Sequence, residues 1–484
     1  MGFAIESRRI AAALLAAGTA AVLIWFGSGL FPTWPLLWFA PLPVLIYAAR
    51  SSWWAAGLTA TAAWVAGNLT FWRYYTHALH LPLAFRMEIL IAPALIFALA
   101  VLLHRALLRR GASWSALVAF PAAWVSFEYI FNLTSPHGTA ESLSYSQLGF
   151  LPFLQLASIT GPWGMSFLLL GFSSSLAVGI HLRKTAPMQA MRIVAATLGV
   201  IAAVLVFGAV RLALPPPPGH LVKVGLVASD LPAYASVTAP GAKTDEMLRD
   251  YAAHAEALIA QGAQVVVLPE HLGAVDGPGT ATMDGIFQTL ANKTGATIVV
   301  GIGHESPLPK YNQARVYTPT APVESYNKHH LLPPYELRFA PGTELLTLPE
   351  AKGMWGVAIC KDMDFTQLSR QYGREGAGLM LVPAWDFVLD RFYHGHMAVM
   401  RAVESGFNLA RAARGGYLTV ADNRGRILGE TQSNSAPFAT LLVDVPSVHD
   451  GTLYQRFGDW FAWVVLAVLI FTLVRLVALR GRHE

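Results

Sequence analysis

Charge is scarce in this chain. Only 13% of its 484 residues are Asp, Glu, Lys or Arg, while 54% are hydrophobic. A soluble domain carries roughly a quarter charged residues, so the imbalance points to lipid contact. Cysteine is scarcer still, with Cys360 as the sole example. No disulfide can close within the chain, and the redox compartment is left open. A lone cysteine is either a small buried apolar residue or a reactive thiol. The net charge of +5 comes from arginines gathered at the ends of apolar runs. They form no basic face, which argues against a nucleic-acid partner. His104, His329 and His330 show no ligand spacing, so neither metal nor cofactor is expected.

Long apolar runs dominate the first 215 residues. Spans are expected near 10–30, 34–49, 53–71, 87–108, 114–131, 164–182 and 192–213, with one more at 461–479. The second carries Pro35, Pro41 and Pro43, which predicts a tilted or broken segment. Basic residues fall in alternate loops: Arg8 and Arg9, Arg50, Arg105 with Arg109 and Arg110, Arg183 with Lys184 and Arg192, then Arg475, Arg480 and Arg482. The positive-inside rule makes that side cytoplasmic and places residues 215–460 outside the cytoplasm. Glu128, near the outer end of the fifth span, is either solvated, paired with an arginine, or functional. His137 in the loop beyond reads as solvated.

Composition changes at Pro215–Gly219, a stiff proline connector. The expected organisation is a seven-span membrane domain over 1–214, a linker over 215–219, a catalytic domain over 220–460, and a last span with its tail over 461–484. Short β-branched runs alternate with helical patterns in the third of these. Strands are predicted over Leu221–Ala228, Val265–Pro269, Thr297–Gly301, Gly356–Cys360 and Gly378–Val382, with helices over Thr244–Gln261 and His396–Ser405.

Three segments carry the chemistry. The apolar run 265–268 ends in Pro269-Glu270, Asn327-Lys328 opens a stretch through Leu331, Pro333 and Glu336, and Gly356 leads to Cys360-Lys361-Asp362. A thiol of ordinary pKa is mostly protonated at neutral pH and needs a base and a nearby cation. Glu270 can take the proton and return it to a leaving group. Lys328 can supply the cation for thiolate and oxyanion, and the N–H of Lys361 can serve as a second oxyanion donor.

In order and spacing these segments resemble the three signatures of the carbon–nitrogen hydrolase (nitrilase) superfamily over roughly residues 220–445. The resemblance implies a four-layer α-β-β-α sandwich beside the multi-span α-helical membrane domain. It implies a Glu270–Lys328–Cys360 triad, with Glu336 as the glutamate that supports it. The membrane part is similar to the bacterial apolipoprotein N-acyltransferases at 124–129, 145–147, 154–157 and 160–168, as are 400–406 and 452–460. That branch implies the bacterial cytoplasmic membrane, a phospholipid acyl donor, a lipoprotein acceptor and a cysteine thioester. Water must be kept from such a thioester, and Trp385, Phe387, Phe392 and Tyr393 are lid candidates or simply core aromatics.

Several positions depart from the branch's pattern. Lys361-Asp362 replaces an aromatic and a glutamate, Ala228-Ser229-Asp230 replaces Gln-Gly-Asn, His271-Leu272-Gly273 follows Glu270, and Arg411-Ala412-Ala413-Arg414 replaces the usual Arg-Ala-Thr-Asn. A membrane-tethered amidase or nitrilase, or an acyltransferase for a different amine, is the alternative. A catalytically idle scaffold is a third reading, disfavoured because binding alone needs no Glu-Lys-Cys set.

Overall fold

The computed structural model of the protein describes residues 2–215, 217–235, 237–350 and 353–480. Pro216 of the expected connector and Arg482 of the expected basic cluster lie outside the described residues. The chain forms two units, one from residues 1–133, 141–213 and 459–484, the other from 134–140 and 214–458.

Among the described residues, six helices of the first unit are long and apolar enough to cross a membrane: Glu6–Gly27, Leu83–Arg109, Ser113–Thr134, Pro162–Leu182, Pro187–Ala213 and Trp460–Leu479. The segment expected as a second span is broken into Trp34–Leu37 and Leu42–Arg50. Its prolines account for the break, since each lacks the N–H that a continuous helix needs. The third expected span is the 16-residue helix Trp53–Asn68, which passes into a 3-10 turn, Leu69–Phe71. Leu14, Leu15, Leu99, Val206 and Val474 are exposed on these helices. Outward apolar faces of this kind suit lipid contact, and the unit is a multi-pass membrane domain. Glu128 within it is buried and accepts from Trp124 Nε1 at 2.9 Å, the Leu143 N–H at 2.8 Å and Ser142 Oγ at 3.1 Å. Donors of its own unit, not solvent, satisfy this carboxyl.

The second unit is built on two sheets. The first has β1 (Leu221–Ala228), β2 (Val265–Val267), β3 (Ala274–Val275), β4 (Thr297–His304), β5 (Tyr311–Tyr317), β6 (Glu324–Asn327) and the late strand β13 (Ala439–Pro446), ordered β13-β1-β2-β4-β5-β6 with β3 on β4. The second holds β7 (Leu346–Glu350), β8 (Gly353–Val357), β9 (Leu379–Trp385), β10 (Asn408–Arg414), β11 (Tyr417–Ala421) and β12 (Ile427–Gln432), ordered β12-β11-β10-β9-β8-β7.

Period-two alternation explains the layers. Val222, Val224, Leu226, Val265 and Val267 meet Val357, Leu379, Leu381, Ala410 and Ala412 between the sheets. The intervening Val227, Val266 and Ile298 face helices Ala242–Ala260 and Gly277–Thr294 through Met247, Tyr251 and Phe287. On the other sheet Met380, Val382 and Leu409 face Thr366–Arg374 and Arg391–Ser405 through Leu368, Tyr372 and Val399. The order is α-β-β-α.

β1, β2 and β4 run parallel, as do β8, β9 and β10. Their carboxyl ends are where an α/β fold leaves room for chemistry. Two predicted strands stop early there. β2 ends at Val267, and β8 ends at Val357 short of the cysteine. Asp362 causes the second stop: its N–H donates to Ile359 O at 2.9 Å, and its carboxylate accepts the Ile359 N–H at 3.1 Å. Cys360 takes φ +44° and begins a 3-10 turn through Asp364.

Residues 134–140, expected with the membrane domain, pack as part of the catalytic unit. Thr139 donates to Asp364 O through its N–H at 3.1 Å and its Oγ1 at 2.8 Å. His137 is not the solvated residue expected: its Nδ1 lies 3.3 Å from Lys361 Nζ. Burial, then the Lys361 charge, lower its pKa to about 4, so a neutral ring accepts from the ammonium.

Candidate active site

Glu270 lies three residues past β2, and its N–H donates to Ala384 O at 3.2 Å. Lys328 follows β6 directly and its N–H donates to Asn312 O on β5 at 2.9 Å. Sheet pairing thus delivers base and cation together. Lys328 Nζ donates to Glu270 at 2.7 Å and to Glu336 at 2.8 Å, with all three side chains buried. Asn312 Nδ2 donates to both carboxylates, 2.6 Å from Glu270. Glu336 also accepts the Leu332 N–H at 2.7 Å.

Burial raises the Glu270 pKa, Lys328 opposes this, and Glu336 adds to it. A base held above the ordinary carboxylate range suits proton transfer near neutrality. Burial would lower Lys328, but the Glu270 and Glu336 charges hold it well above the usual lysine value. Glu336 stays below its usual value because Lys328, Asn312 and the Leu332 N–H outweigh its burial.

Cys360 Sγ is buried and sits 3.5 Å from Trp385 O, at the end of β9. Burial and then Glu270 push the thiol up, while His394 and Lys328 pull it down. The thiol therefore waits for its base. The Lys361 side chain points to His137 and to Asp364, 3.5 Å away. Asp362 pins the turn further, accepting from Tyr326 Oη at 2.8 Å and from the His330 N–H at 2.9 Å.

The four aromatic lid candidates differ in setting. Trp385 is exposed, with the Arg414 guanidinium 4.3 Å over its ring. Phe387 packs on Tyr335 at 5.7 Å, Phe392 stacks on His396 at 4.1 Å, and Tyr393 is half-buried.

Sequence reading missed Asn312 and a second polar group behind the thiol. His394 Nδ1 lies 2.8 Å from Asp386 and Nε2 3.0 Å from Asp364. Arg411 grips Asp386 through both Nη atoms. A signal was available: Arg411 and Arg414 lie in an otherwise apolar strand run, and a buried arginine needs a partner. Cys360, Asp386 and His394 bring ligand atoms within 4.8 Å of one another. Each ring nitrogen of His394, however, already faces a carboxylate.

A buried cysteine beside a glutamate-lysine pair, on two sheets sandwiched by helices, defines an enzyme of the carbon–nitrogen hydrolase type. Comparisons agree. Residues 234–449 match the family model for the carbon–nitrogen hydrolases, and residues 18–175 match that for the apolipoprotein N-acyltransferase N-terminal domain. The chain is 29% identical over 397 residues to an apolipoprotein N-acyltransferase of Geobacter metallireducens, covering 75% of this chain and 74% of that one. It is 25% identical to the Shewanella oneidensis protein of the same name, covering 72% and 71%. Among solved structures it is similar to an amidase from Nesterenkonia sp., at 23% identity and a TM-score of 0.42, over 50% of this chain and 95% of that one. Residues 18–175 thus resemble the N-terminal domain of the apolipoprotein N-acyltransferases, and residues 234–449 the carbon–nitrogen hydrolases.

Proposed function

We propose that this protein moves an acyl chain from a phospholipid to the α-amine of a lipoprotein's N-terminal diacylglyceryl-cysteine. The supporting observation is the Glu270–Lys328 ion pair beside Cys360, in a chain with a membrane domain of the acyltransferase type. In the first half-reaction Glu270 takes the thiol proton and the thiolate attacks the ester carbonyl. The tetrahedral oxyanion collapses, the C–O bond breaks, and Glu270 returns the proton to the departing lysophospholipid oxygen. In the second, the amine attacks the thioester, Glu270 accepts the amine proton, the C–S bond breaks, and Glu270 returns that proton to the departing sulfur to restore the thiol. Lys328 and the Lys361 N–H serve the oxyanion. Trp385, Phe387, Phe392 and Tyr393 serve as the lid that keeps water from the thioester. Both substrates are bilayer-anchored, so a site tethered to the membrane turns a three-dimensional search into a local one. The catalytic domain belongs on the extracytoplasmic side of the bacterial inner membrane, as the arginine-bearing loops alternate.

A hydrolytic or different-amine reading is favoured by one feature: Lys361-Asp362, directly after the nucleophile, and Arg414 depart from the acyltransferase pattern. Mass spectrometry separates the two. Lipoproteins from cells lacking the protein should lose the amide-linked chain, and the purified protein given phospholipid alone should gain one acyl mass on Cys360. Unchanged lipoprotein N-termini together with acyl-Cys360 would move the reading to another acceptor. Absence of both ends it.

A further inference from the structure

Two cations stand near the Cys360 thiol, and their surroundings differ. Lys328 is held between Glu270 and Glu336 at 2.7 and 2.8 Å, so one positive charge there meets two carboxylates. His394 brings its ring within 4.8 Å of Sγ. Its two carboxylate partners, Asp386 at 2.8 Å and Asp364 at 3.0 Å, each carry a second cation. Arg411 holds Asp386, and Lys361 lies 3.5 Å from Asp364. Three cations thus share two carboxylates. Asp390 acts on Arg411 from beyond, and Arg401 is paired with Glu404 at 2.8 Å. A ring that bonds a carboxylate at each nitrogen is a donor twice over, which only the protonated imidazole can be.

We propose that His394, held as an imidazolium by Asp364 and Asp386, is the cation that faces the Cys360 thiolate, and that Lys328 belongs to the base, holding Glu270 and Glu336 in register. His394 is then a positioning and charge-setting residue that keeps both its protons throughout. The thiol proton goes to Glu270, and the new S⁻ meets a positive charge already in place, without reorganisation. The shifts run the same way. Burial would lower His394, yet Asp364 and the thiol hold it well above the usual histidine value. Burial would raise Asp364, yet His394 and Lys361 bring it down to about 2. On the thiol itself, His394 acts more strongly than Lys328.

The inference rests on Cys360 as nucleophile but not on the acyl acceptor, because its test needs neither donor nor acceptor. As the chain's sole cysteine, Cys360 can be alkylated in the full-length protein and its rate followed against pH. His394→Gln should displace the profile to higher pH and slow alkylation at neutral pH by about tenfold, the thiolate lost to a one-unit shift. Lys328→Met should displace it less, and Glu270→Gln in the opposite direction. His394→Asn gives the same reading should the glutamine variant not fold. A merely structural histidine would leave the profile in place. A profile unmoved in the folded His394 variant, or moved no further than in Lys328→Met, overturns the proposal.

Discussion

Asn312 sets the direction in which Glu270 faces, since its amide donates to both carboxylates that flank Lys328. Asn312→Asp would put a third carboxylate among two and remove the donor. Like charges at that range push a base toward its protonated form. Thioester formation should fall by the loss expected of a missing general base, about 10²–10⁴-fold. Its acid limb should move to higher pH, and an unchanged rate would make Asn312 a bystander. Glu270 and Cys360 stood out as candidates because each lies near the end of an apolar run, a pattern local enough to read. Lys328 follows the polar strand Glu324–Asn327 and was picked out by the spacing of its segment. Asn312 was not, because its meaning depends on β5 pairing with β6 so that Gln313 meets Asn327. His394 was hidden for a similar reason: Asp364, Asp386 and Arg411 reach it from three separate segments.

Among the elements, strands of the catalytic unit announced themselves by apolar alternation, and β1 runs Leu221–Ala228 as read. The turn at Cys360 did not, because a side chain, Asp362, ends that strand. Nor did the 134–140 strap, which holds the same turn from outside. Gly138 within it has φ +56°, and a Cβ there would lie 2.7 Å from Asp364 O. Gly138→Ala therefore has two faults, a strained backbone and a clash with a carbonyl that cannot step aside. A cost of about 1–3 kcal/mol is expected, spent on shifting the strap or the Cys360–Asp364 turn. Acylation of Cys360 should slow while the membrane helices keep their helical circular dichroism. Full activity in that variant would show that the turn holds its shape without the strap.

At the scale of the molecule, the two proposed compartments are testable by reporter fusion. A reporter at residue 450 should behave as extracytoplasmic and one at the C-terminus as cytoplasmic, the reverse pattern removing access to exported lipoproteins. Span number was only partly legible. The proline-bearing second segment, expected to be tilted or broken, does break into Trp34–Leu37 and Leu42–Arg50. Hydropathy did not foretell that the third would stop as a helix at Asn68. Global stability carries a signature of the site as well. Cys360 occupies φ +44°, a left-handed conformation costing an L-residue ~1–2 kcal/mol. Glycine escapes that cost and loses only ~0.5–1 kcal/mol through the freedom of its unfolded chain. Cys360→Gly should therefore melt above Cys360→Ala in the same detergent. The left-handed backbone at this position would remain if the thiol's chemistry were lost. An inactive descendant of this lineage should betray itself first by a glycine at position 360.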